Sequence, residues 1–186
     1  VAFYATIITT LGVLALVAVA AGLGLGAALT TAAGRARLTD ALAGQERHPI
    51  AWAWIVALLA MLGSLYLSDV VHFSPCLLCW YQRIAMYPLV FVLGVGMLRS
   101  DPGVWRFAIP LPVIGFLISA YHVLIQWRPN MEVTTCAVGA PCTGRYVAVF
   151  GFISIPTMAG AAFLLIAALM LLLRALEREM DRPSGD

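Results

Sequence analysis

From Ser74 to Leu98 the chain reads SPCLLCWYQRIAMYPLVFVLGVGML. A hydrocarbon core about 30 Å thick takes roughly 20 apolar residues in a helix, and this stretch supplies them with a single full charge, Arg83, near one end. It opens on a Cys-x-x-Cys pair. In a helix, Cys76, Cys79, Arg83 and Tyr87 follow one another at steps of three, four and four, so they share a face and aim two sulfurs along the helix toward a guanidinium. An intramembrane Arg costs on the order of 2.5–3.5 kcal/mol even on a mild insertion scale. Its place one turn below a sulfur points to a use, stabilising a thiolate and hydrogen-bonding a ligand oxygen; snorkelling outward is the plainer alternative.

Four further uncharged runs flank this one: within Val1 to Gly34, from Ile50 to Ser68, from Phe107 to Trp127, and from Val147 to Leu173. Of the 186 residues, 62% are hydrophobic and 11% charged, against about 45–50% and about 25% in soluble domains. No single soluble core hides that much apolar surface. Disorder, collagen and coiled coil each demand a different bias and are excluded. The net charge is +2 and every basic residue is an Arg, with no continuous basic stripe of the kind nucleic acid requires. The fold expected is an all-α polytopic membrane protein: a four-helix transmembrane bundle (49–175) preceded by an additional N-terminal transmembrane helix and linker (1–48) and followed by a cytoplasmic tail (176–186). Pro110 and Pro112 fall in the first turns of the fourth run, and Pro156 in the first third of the fifth.

Arginines set the orientation. Arg35, Arg37, Arg47, Arg99, Arg106, Arg174, Arg178 and Arg182 fall on one side, and only Arg128 and Arg145 on the other, with Arg83 just inside a span there. The positive-inside rule puts the first set in the cytoplasm and the amino terminus outside. The mixed-sign segment from Glu177 onward reads as a solvated end. The first run, rich in Ala and Gly and without a basic flank, reads as an anchor rather than a signal peptide; Gly22 and Gly26 give it a GxxxG spacing that lets another helix approach.

All four cysteines then fall on the outer side of a cell membrane, where no glutathione pool keeps thiols reduced. Ser74 as cap and Pro75 in the first turn leave Cys76 and Cys79 at the positive end of a helix dipole, which favours thiolate and an exchangeable bond. Cys136 and Cys142 bracket a short loop with Gly139 and Pro141 among polar neighbours, a water-accessible pair. Alone, such a pair is more often a staple; beside a poised Cys-x-x-Cys it offers soluble thiols a route inward. Zinc is a rival use of four cysteines, but the second spacing is too wide for a tight knuckle, and no metal is expected. His122, beside Tyr121 and one turn before Gln126, is the other ionisable group at this depth. With Arg83, and flanked by Trp80, Tyr81 and Trp127, it suits a flat, lipid-soluble molecule with two carbonyl oxygens, which describes a quinone. Asp69 and His72 lie near enough to assist proton transfer, though interfacial solvation also explains them.

The run from Phe73 to Leu89, with Cys76, Cys79, Arg83 and Tyr87 in place, closely resembles the signature of the disulfide bond formation protein B family, DsbB, in its BdbC-like branch. The order of parts agrees, and the resemblance covers about Ile50 to Leu173, leaving the first span without a counterpart. It implies an enzyme, a membrane thiol:quinone oxidoreductase that reoxidises a thioredoxin-fold partner (DsbA- or BdbD-like) and passes electrons to ubiquinone or menaquinone. It further implies that Cys79 adjoins the quinone with Cys76 as its disulfide partner, that Arg83 is the quinone-side cation, and that the partner attacks Cys136, paired with Cys142. His122 matches only by its position upstream of the second pair. The second pair is more closely spaced than in enterobacterial members, as is frequent in the BdbC branch.

Two other functions compete. A vitamin K epoxide reductase-like enzyme also couples four cysteines to a quinone, but there the loop pair precedes the Cys-x-x-Cys. A non-enzymatic scaffold with two outer staples predicts disulfides that never cycle.

Overall fold

A computed structural model describes residues 2–45, 47–133 and 140–180. Among them, five helices are long and apolar enough to cross a membrane, which makes the chain an all-α, multi-pass membrane protein. Helix α1 (Ala2–Thr30) is followed by the short α2 (Ala32–Ala41), whose first turn is capped by the Thr31 side chain accepting from the Gly34 amide. Helix α3 (Arg47–Leu65) widens into a π-turn at Tyr66–Val70. Helix α4 (Leu77–Arg99) ends where Ser100 turns left-handed, φ 51°. A 3-10 turn and the one-turn α5 (Trp105–Ala108) lead into α6 (Pro110–Trp127), and α7 (Ile155–Met180) closes the bundle.

Helices α3, α4, α6 and α7 pack as a four-helix bundle, and α1 lies along α7. Phe163, Ile166, Met170 and Leu173 of α7 meet Ile50, Ala53 and Ala57 of α3 and Leu89 and Leu93 of α4 in the core. Lipid is as apolar as these side chains, so close packing rather than water exclusion holds the helices together. Gly115 shows how close: a Cβ there would collide with the Phe163 ring. Large apolar side chains such as Phe91, Leu98 and Phe107 point outward, as a surface facing hydrocarbon requires.

Three expectations need correction. The fifth helix starts at Ile155, not Val147; the preceding residues form a turn with a left-handed Gly151 and an isolated Val149–Ile153 bridge. Pro156 therefore sits in the first helical turn, where its missing N–H leaves no hydrogen bond unmade. Glu177 is not part of a solvated end: α7 continues through it, it is buried, and it accepts from the Trp105 indole at 2.7 Å and pairs with Arg106 at 2.9 Å. In the Gly22/Gly26 spacing, only Gly22 abuts a helix, with Leu164 about 3.1 Å from where its Cβ would lie; Gly26 faces open space.

Candidate functional site

Pro75 disfavours helix for the residue before it, and Cys76 itself is still extended at φ −72°, ψ 171°. Cys76, not Ser74, is the N-cap of α4, its Sγ accepting from the Cys79 amide at 3.4 Å. The Cys76 and Cys79 sulfurs are free thiols 2.9 Å apart. Ahead of the membrane span, the hydrogen bond from the Cys79 thiol pulls the Cys76 thiol far below its usual range; burial opposes this, and contacts with His122 and the Cys79 amide reinforce it. A sulfur as N-cap is thus stabilised as thiolate by the amides and dipole it caps.

His122, 2% exposed, joins the two halves of the site. Its Nε2 lies 3.7 Å from the Cys76 sulfur and 3.0 Å from the Cys142 carbonyl oxygen, while its Nδ1 lies 3.3 Å from the Gln82 side-chain nitrogen. A carbonyl only accepts, so Nε2 carries the proton and donates to Cys142, and Nδ1 accepts from the Gln82 amide. The same Nε2–H faces the Cys76 sulfur. Gln82 is one of the few buried polar side chains of the described residues. The sequence signal for it was an uncharged polar residue three positions after Cys79, overshadowed by the charge beside it.

Cys142 is disulfide-bonded and fully buried, covered with Cys76 and Cys79 by Leu78, Ile125 and Tyr121. The expectation of a water-accessible sulfur fails for Cys142, because the C-terminal end of α6 holds this segment down. Besides the His122 bond, Gln126 donates to the Gly144 carbonyl at 3.2 Å and accepts from the Ser154 hydroxyl at 2.7 Å, and the Val133 amide donates to the Tyr121 hydroxyl at 2.9 Å. Cys136, with Thr134, Thr135 and Gly139, lies outside the described residues.

Arg83 reaches across to α3. Its Nη2 donates to the Ser64 carbonyl at 3.0 Å, just before the π-turn of α3, and its guanidinium lies 5.3 Å from the Trp80 ring centre. Tyr87 hydroxyl meets Ser64 Oγ at 3.4 Å. π-turns recur at functional sites, and here the turn directly follows the residues that meet the cation. Cys76, Cys79, Arg83 and Tyr87, expected on one face, all line one cavity of about 530 Å³ with Gln82 and His122. Trp80, Tyr81 and Trp127, expected around the same ligand, are about half exposed and do not line it; Trp127 instead stacks under Arg145 at 3.7 Å. Asp69 and His72 are also outside the lining. A large, mainly apolar cavity with guanidinium, amide, imidazole and thiol groups gathered at one part of its wall fits a hydrophobic ligand carrying polar oxygens, and so fits a quinone.

The donor atoms of Cys76, Cys79 and His122 all lie within 4.8 Å of one another, a spacing that a metal ion also accepts. Both His122 nitrogens are already engaged, one by Gln82 and one by Cys142, so a metal would have to displace one of these bonds.

Residues 46–173 match the family described as disulfide bond formation protein DsbB. Disulfide bond formation protein C of Bacillus subtilis is 48% identical over 128 residues, 68% of this chain and 93% of that protein. Probable disulfide formation protein C 2 of Bacillus cereus is 48% identical over 125 residues, 67% and 90% of the two chains. A probable disulfide formation protein of Oceanobacillus iheyensis is 47% identical over 125 residues, covering 64% and 84%. No solved structure matches the chain at a significant level.

Proposed function

The chain belongs to the disulfide bond formation protein DsbB family, and from that premise we propose that it reoxidises an extracytoplasmic thioredoxin-fold thiol oxidase and passes the electrons to membrane quinone. The observation that carries the reading is His122: one imidazole touches the Cys76 sulfur and the backbone of Cys142, and so couples two sulfur pairs far apart in sequence. All four cysteines face outward in this proposal, in line with eight arginines assigned to the opposite side.

The partner's thiolate attacks Cys136, breaking its bond to Cys142 and releasing a thiolate there. The second partner thiol resolves the mixed disulfide, so the partner leaves oxidised and the loop pair is a dithiol. A loop thiolate then attacks Cys76 of the oxidised Cys76–Cys79 pair, and the Cys79 sulfur leaves. In the free dithiol the N-cap geometry puts negative charge on Cys76; with Cys76 held in a mixed disulfide, Cys79 carries it, one turn above Arg83. Resolution by the second loop thiol restores the loop disulfide and completes transfer of two electrons and two protons to Cys76 and Cys79. His122 Nε2–H steadies the Cys76 sulfur as charge comes and goes, and Gln82 fixes the tautomer that lets it do so. Quinone, when held by Arg83 in the cavity that His122 also lines, would supply the two-electron acceptor that returns the pair to a disulfide.

The test is quinone reduction by purified protein with a reduced thioredoxin-fold oxidase as donor. Turnover is expected to fall at least 100-fold in Cys79→Ser; undiminished turnover in that variant refutes the relay.

A further inference from the structure

Helix α1 lies wholly before residue 46, where the family match begins, yet it builds part of the wall around the site. Leu11, Leu14, Val17, Ala18 and Ala21 line the same cavity as Cys79 and Arg83. Small residues seat the helix: Ala15 and Ala18 pack on Ala161 of α7, and Gly22 abuts Leu164. On its other flank Leu11 reaches α3, its Cδ atoms 3.6 Å from where a Cβ of Gly63 would lie. α1 therefore packs along α7 and touches α3 at Leu11, forming one side wall of the cavity where it faces lipid.

The cavity is a long groove between α1 and α3, and its wall residues Leu14, Val17, Leu59 and Trp52 remain exposed on their outer sides. Its lining runs along α1 from Leu11 to Ala21 and along α3 from Trp52 to Ser64, which at about 1.5 Å per residue is about 15–18 Å along the bundle. Polar groups cluster where Cys79, Gln82, Arg83 and His122 converge. Away from them the walls are Val17, Ala21, Ile55, Leu59 and Leu169, with Trp52. A single aromatic ring does not fill that length, and nothing along it offers a hydrogen bond except the Trp52 indole. The matching occupant is a flexible branched hydrocarbon attached to the ring.

We propose that α1 is the lipid-facing wall of a channel for the polyprenyl tail of the quinone, so that this chain discriminates between quinones by their tails through residues outside its family-matched bundle. The inference rests on the quinone reading above and adds the tail site and the helix that forms it.

The test compares the full-length protein, in detergent with dithiothreitol as electron donor, on menadione, which has no tail, and menaquinone-4, and on the corresponding tail-less and four-unit ubiquinones. Ala21 is exposed toward the channel, so Ala21→Trp obstructs it without entering the α1–α7 seam. The KM for both tailed quinones is expected to rise about tenfold, with kcat and the KM for tail-less quinones within twofold. Leu16→Trp, on an exposed position outside the lining, is expected to leave all four unchanged. Polyprenyl quinone extracted from the purified protein should drop in Ala21→Trp and not in Leu16→Trp. An unchanged KM ratio in Ala21→Trp, an equal rise for tailed and tail-less quinones, or loss of bound phospholipid instead of quinone overturns the tail channel while leaving the relay intact. Wild-type protein that reduces no quinone of either kind overturns the relay and the channel with it.

Discussion

The bundle buries polar groups at both ends, and the two ends solve the problem differently. At the end opposite the cysteines, the inner end in the proposed orientation, Glu177 is held by the Trp105 indole and by Arg106, and both Arg106 and Arg174 stack on the Trp105 ring, at 5.1 and 4.9 Å. Charge is matched by charge, and no cysteine among the described residues belongs to the cluster. At the cysteine end, the outer end in that orientation, Gln82, His122, Cys76 and the Cys142 carbonyl form a chain of hydrogen-bonding groups with no ion pair among them. Such a chain tolerates a change of charge on Cys76, because Gln82 and the Cys142 carbonyl hold His122 in the tautomer whose Nε2–H faces that sulfur. The inner cluster fastens helices; in the proposed relay, the outer one accommodates chemistry.

Breaking the outer network should therefore cost activity before stability. His122→Ala removes the donor shared by the two sulfur pairs, and kcat for transfer from partner to quinone should fall about 100-fold, the scale of a positioned acid or base. The same variant sharpens the comparison through pH. In the reduced wild-type protein, Cys76 thiolate, followed by its ultraviolet absorbance, should persist well below the ordinary thiol pKa of about 8.5. Since a lowered pKa means the charged form survives to lower pH, His122→Ala should move the midpoint upward, toward that value. A midpoint that stays put assigns the lowering to Cys79 and the helix alone.

Breaking the inner cluster should do the reverse. Glu177→Gln keeps an oxygen for the Trp105 indole and loses only the pair with a half-exposed Arg106, worth about 1 kcal/mol or less. Tm should drop by about 2–4 °C with kcat within twofold. A large loss of turnover from this substitution would mean that the two ends are coupled.

Much of this architecture was legible because hydropathy reports spans directly, and the Cys76, Cys79, Arg83, Tyr87 face follows from helical periodicity. Other features were hidden for physical reasons. The cap at Cys76 depended on how the backbone leaves Pro75, and the start of α7 on the turn at Gly151, neither of which alters hydropathy. The burial of Cys142 comes from Gln126, His122 and Tyr121 gripping a polar loop, a tertiary effect that local composition does not reveal. Ser64 and Gln82 gained their importance only when α3 and α6 were placed beside α4. The first span read as a bare anchor because its contribution to the cavity lies in which of its small residues face inward.

The most direct test of the account is acid-quenched alkylation of the cysteines, followed in time after reduced thioredoxin-fold substrate is added to quinone-loaded protein. The account predicts that the loop pair becomes reduced first, that Cys76 and Cys79 follow, and that one quinol forms for each substrate disulfide. A Cys76–Cys79 pair whose redox state never changes while substrate is oxidised would contradict it.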